Sequence, residues 1–147
     1  MQAVILQMSN NMNYAEAIGD WVKFRQKEEN ETEAEYRVEK GKYNFVQKQK
    51  KEQRLMNLIE FELQPFFKIP LSSEVTSNVQ QSIVDTLDNV CKCGFITDYE
   101  VSGKDISEAI GGPFTPYQII PSHMWKVTCT MFGFKTQFTL TDFNIRG

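Results

Sequence analysis

One histidine, His123, is all that the sequence offers to imidazole chemistry. Ser122 precedes it, but no G-x-S-x-G elbow surrounds either residue, so the parts of a serine hydrolase are not visible. Gly111-Gly112-Pro113 is not followed by G-K-[ST], which excludes a P-loop there. Cysteine is scarce as well. Cys91 and Cys93 form C-x-C rather than the C-x2-C of a zinc knuckle, and only Cys129 and His123 remain as further thiol or imidazole ligands, both distant in sequence. Cys91 extends an apolar helical stripe and is expected to be a small buried hydrophobe. No apolar run approaches the roughly 20 residues that cross a bilayer. The opening Met1-Gln2-Ala3-Val4-Ile5-Leu6 has no basic n-region and too short an apolar stretch for a signal peptide. The expected setting is a reducing cytoplasm, that of a host cell, or a virion, with no membrane, no cofactor and no structural disulfide.

Excess positive charge is also missing. The net charge is −3 and the pI about 5.2, which weighs against a dedicated nucleic-acid binder. The charge is nevertheless divided. Glu28, Glu29, Glu31, Glu33 and Glu35 form an acidic block, followed by Lys40, Lys42, Lys48, Lys50, Lys51 and Arg54 with Glu52 the one acid among them. These blocks can pair within the chain or between copies. Asp85 with Asp88, and Asp98 with Glu100, share exposed faces and read as solvated rather than catalytic. No enzymatic constellation emerges.

What is present is a core. Hydrophobic residues make up 41% and aromatics 12% of 147 residues, with Phe at eleven positions. This suits one domain spanning residues 1–147. Residues 1–12 are expected to be an arm or edge strand. Asn13 and Glu16 resemble a capping box, and Tyr14, Ile18, Trp21 and Val22 continue as a helical stripe to Phe24.

Residues 34–46 then alternate. Tyr36 and Val38, then Tyr43 and Phe45, flank Lys40-Gly41, which favours a β-hairpin with Tyr43 in its core. The rival is one continuous charged helix broken only by Gly41. A helix is expected from Val46 to Gln64 with Leu55, Leu58, Ile59 and Leu63 inward. Another follows from the Ser72 or Ser73 cap, striped by Val75, Val79, Ile83, Leu87 and Val90 and closed by Gly94 and Phe95. Alternation from Phe95 to Val101 predicts a strand. Gly103, Gly111, Gly112, Pro113, Pro116 and Pro121 predict a long loop over 102–122. Segments 123–132 and 134–145 read as two strands turning at Gly133. The expected class is α+β, with two central helices packed on a C-terminal antiparallel sheet.

This order of elements resembles the C-terminal domain of contractile-tail sheath proteins and small sheath-initiator or baseplate subunits of phages. The resemblance covers about residues 50–147. It rests on Arg54-Leu55-Met56-Asn57-Leu58-Ile59, Phe66-Phe67, the Val79-Ile83-Leu87 stripe, Gly94 through Val101, and Phe138, Leu140 and Ile145. The acidic-proline-arginine signature of many sheath initiators is absent, since the prolines stand at 65, 70, 113, 116 and 121 outside any such triplet. The resemblance implies subunits that lend terminal strands to a neighbour's sheet. Here Val4, Ile5 and Leu6, with Phe143 and Ile145, would supply those contacts. The leading expectation is therefore a non-enzymatic structural protein of a phage particle, an oligomer of copies or protein partners. Alternatives are a small phage inhibitor of a host protein, and a nucleic-acid-binding accessory protein using Lys40, Lys42, Tyr43, Lys48, Lys50, Lys51 and Arg54.

Overall fold

The computed structural model describes residues 14–105 and 123–142. Among the described residues, a helical stretch at 14–18 precedes two longer helices, a short 3-10 turn lying between these two, and three strands follow. Helix α1 spans Glu33–Glu62, about 45 Å at the usual rise. Thr32 caps it by accepting the Glu35 amide at 3.1 Å, and Glu33 and Glu35 sit where the helix dipole favours acids. Pro65 in the 3-10 turn Gln64–Phe66 marks its end. Helix α2, Ser73–Lys92, starts from Ser72, whose hydroxyl accepts the Val75 amide. It ends in a Schellman motif: Gly94 at φ +87° donates to the Cys91 carbonyl, and Phe95 donates to that of Val90. Val90 and Phe95 are both buried, completing the hydrophobic clasp.

The expected hairpin at 34–46 is overturned, because this segment is the first part of α1. The alternation that suggested strands is equally a helical pattern. Tyr36 and Tyr43 are seven apart and share one helix face; so do Val38 and Phe45 on another. Gly41 costs a helix interior about 1 kcal/mol, which a run of Glu, Lys, Arg and Gln with good helix propensity outweighs.

Strands β1 (Ile96–Asp105), β2 (His123–Met131) and β3 (Phe134–Thr141) form an antiparallel sheet in the order β1-β2-β3. Its inward layers are Tyr99–Cys129–Thr136, Val101–Val127–Phe138 and Gly103–Trp125–Leu140. A register shift between Ile96 and Asp98 lets Ile96 be buried on the same side as Tyr99. Residues 102–105, expected in the loop, continue β1; positions 106–122 lie outside the described residues. Phe132 and Gly133, both at positive φ, make the two-residue turn into β3. The helices cover one sheet face, with Leu55, Ile59, Val79, Ile83 and Leu87 fully buried against the same core as Trp125, Val127 and Leu140. The fold is thus α+β, with both central helices preceding the sheet.

Candidate functional site

The N-terminal helix ends earlier than its stripe predicts. Residues 14–18 are helical, and Gly19 at φ +74° ends the turn by donating to the Ala15 carbonyl. The expected cap Asn13 lies outside the described residues. Beyond Gly19 the chain crosses the flank of α1 as a strap. The Gln47 side chain holds it like a stretch of backbone, accepting the Val22 amide at 2.8 Å and donating to the Val22 carbonyl at 2.9 Å. The Tyr36 hydroxyl donates to the Arg25 carbonyl at 2.8 Å. Arg25 makes a two-bond fork to Glu31 at 2.8 and 2.9 Å. This pairing holds the Glu31 carboxyl down at about 2. Phe24 lies between Tyr36 and Tyr43, and Trp21 lies against Phe132 and Phe134 at the sheet's turn.

The strap and α1 enclose a groove of about 520 Å³ lined by Gly19, Val22, Tyr43, Gln47, Lys50, Lys51 and Arg54, among others. Four of the seven residues expected to touch nucleic acid therefore meet at one place: Tyr43, Lys50, Lys51 and Arg54. Two of them are turned to other work. Lys51 is 6% exposed and donates to the Ile18 carbonyl at 2.8 Å, where Arg54 also donates at 3.2 Å. Together they satisfy the open C-terminal end of the 14–18 helical turn. Burial, then the nearby Arg54 charge, lowers the Lys51 pKa. Lys42 pairs with Glu39 at 3.7 Å and Lys48 with Glu52 at 3.4 Å. Lys40 is exposed, with its ammonium 5.9 Å from the Tyr36 ring.

Tyr43 belongs under the strap instead of in a hairpin core. It is half-buried, with its ring 5.2 Å from that of Phe24. Tyr43→Ala is accordingly expected to leave the chain folded. It should cost about 1–2 kcal/mol of packing and speed proteolysis between residues 20 and 31. A loss of 3 kcal/mol or more, about what a core aromatic costs, would show that the strap is integral to the core.

The sheet edges are the second feature. Among the described residues, β1 and β3 have no strand on their outer sides. They are not equivalent. β1 carries Asp98, Glu100, Lys104 and Asp105 and an irregular register near its start, features that discourage strand addition. β3, Phe134-Lys135-Thr136-Gln137-Phe138-Thr139-Leu140-Thr141, has one charge and pairs regularly throughout. The expected contact residues Val4, Ile5, Leu6, Phe143 and Ile145 lie outside the described residues.

The remaining candidates resolve locally. His123 begins β2 with its ring 4.6 Å from that of Trp125, and its backbone exchanges hydrogen bonds with Asp142. Cys91, Cys93 and Cys129 are free thiols. Burial pushes the Cys129 thiol up to about 12. Asp85 accepts from Gln81, and Asp88 accepts from the Tyr99 hydroxyl. No group of three or more His, Cys, Asp or Glu among the described residues is placed to hold a metal ion. No described helix is long and apolar enough to cross a membrane. Sequence reasoning missed the strap clamp. Gly19 after Ile18 was its visible signal, whereas nothing local marks Gln47 as the residue that grips Val22. No family model, curated protein or solved structure matches the chain.

Proposed function

We propose that this chain is a non-enzymatic assembly protein, of the phage-particle kind its sequence resembles, which joins neighbours by strand addition at β3. The observation that carries the reading is the contrast between the two edges. β1 has charges and an irregular register, whereas β3 offers eight regularly paired residues with one charge. A strand added there gains main-chain hydrogen bonds along roughly 27 Å without a preformed pocket. The apolar segments Val4-Ile5-Leu6 and Phe143–Ile145 supply sequences able to add.

Deletion of residues 1–8 is expected to weaken self-association or particle incorporation at least about tenfold, with the circular dichroism spectrum and melting temperature unchanged. In assemblies formed by the intact chain, amide exchange along Phe134–Thr141 should slow relative to the truncated form. Unchanged association, or exchange that does not differ, sinks the strand-addition reading. A stable monomer that never enters particles supports the inhibitor alternative instead.

A further inference from the structure

All buried positions of α1 lie from Lys51 onward, and among the described residues the strap is what covers the preceding turns. The strap occupies the side of Tyr36, Tyr43 and Gln47. At about 100° per residue, the opposite side carries Ala34, Val38, Gly41 and Phe45, spaced by four, three and four. Val38 is 55% and Phe45 57% exposed. A side chain at Gly41 would meet nothing within 4 Å. Ala34 and Val38 line an open surface groove of about 460 Å³ with Glu31, Glu35 and Glu39.

We propose that this stripe docks on the same stripe of a second copy, with the two helices antiparallel. In that direction large residues meet small ones in one register. Phe45 of each copy packs over Ala34 of the other, and Val38 of each enters the space above the other's Gly41. Beside this seam Glu35 and Lys42 lie on one side of the helix, seven residues apart, so each copy's Glu35 approaches the other's Lys42. The present partner of Lys42, Glu39 at 3.7 Å, does not hold it back. Both side chains are well exposed, at 71% and 54%, and such pairs are worth little. The wider charge division agrees: acids at 28–35 of one copy run beside bases at 42–54 of the other. A parallel pair would instead stack Phe45 on Phe45, leave a gap between glycines and bring like charges together.

The seam is short against the roughly 1,200–2,000 Å² of a stable interface, so the dimer is weak and concentration-dependent. Tethering by other contacts between copies would raise its occupancy. The inference does not depend on strand addition at β3, and the two are tested on different residues.

Sedimentation velocity of the intact chain at increasing concentration is expected to show a monomer–dimer equilibrium. Phe45→Glu should abolish the dimer. Glu35→Lys and Lys42→Glu should each weaken it by roughly tenfold through like-charge contact, and the double exchange should restore it. Gly41→Leu should weaken the dimer while raising the melting temperature, since it fills the gap but favours the helix. These positions are remote from the core, so circular dichroism should confirm that each variant is folded. A chain that stays monomeric at every concentration overturns the proposal, as does a dimer indifferent to Phe45→Glu or not restored by the double exchange.

Discussion

Trp125→Ala is expected to destabilise the protein by about 3–5 kcal/mol and lower the melting temperature by on the order of 10 °C. Trp125 is among the fully buried residues, at 0% exposure, and stands between Gly103 and Leu140 in the central sheet. Gly103 makes its room: a Cβ there would lie 2.6 Å from Gln80 Oε1 and 3.3 Å from Trp125 Cδ1. Truncation to Ala leaves a cavity that neither the sheet nor α2 can fill without moving backbone. Trp125→Phe separates packing from polarity. The indole Nε1 has no hydrogen-bond partner among the described residues, and an unpaired buried donor costs about 1–3 kcal/mol. The Phe variant should therefore lose far less than the Ala variant in urea unfolding. Equal losses would mean that a phenyl ring cannot pack in the site the indole fills.

Gly19→Val is expected to cost about 2–4 kcal/mol, the sum of a left-handed penalty and damage to a buried contact. Gly19 sits at φ +74°, and a Cβ there would come within 3.0 Å of both Lys51 Nζ and Arg54 Nη1. Those are the groups that satisfy the Ile18 carbonyl. Lys51→Met keeps the aliphatic stem and removes only the amino group, so it should cost less, on the order of 1–2 kcal/mol. Its pH dependence carries the sharper test. Because the Lys51 pKa is lowered in the folded state, the unfolded chain binds more protons between that value and about 10.4. The Lys51 contribution to stability therefore rises with pH through this window. The gap between wild type and Lys51→Met should widen from pH 7 toward about pH 10. Comparing the two cancels the opposing effect of Cys129, whose thiol is pushed up to about 12 and whose unfolded form ionises first. A gap that stays flat would show that the Lys51 amino group is hydrated in solution.

The sequence by itself determined the elements whose signals are local. Ser72, the Val79-Ile83-Leu87-Val90 stripe and Gly94-Phe95 specify α2 from cap to Schellman turn, and each took its expected place. Alternation from Phe95 to Val101 marked β1, and Gly133 marked the turn between the two later strands. The same pattern in residues 34–46 misled, because Tyr36/Tyr43 and Val38/Phe45 fit a two-residue period and a seven-residue one equally. Helix propensity lets the longer period stand despite Gly41, and tertiary contacts hold it. The strap needs Tyr36, Tyr43 and Gln47 along one side, and a helix presents all three together where a hairpin does not. Tertiary structure also decided what the basic run does. Composition sees Lys51 as one cation among six, but the helical turn at 14–18 ends beside it with an open carbonyl. A buried ammonium is tolerable where such an acceptor waits and costly elsewhere. That acceptor lies thirty-three residues away in sequence, so no local pattern could announce it.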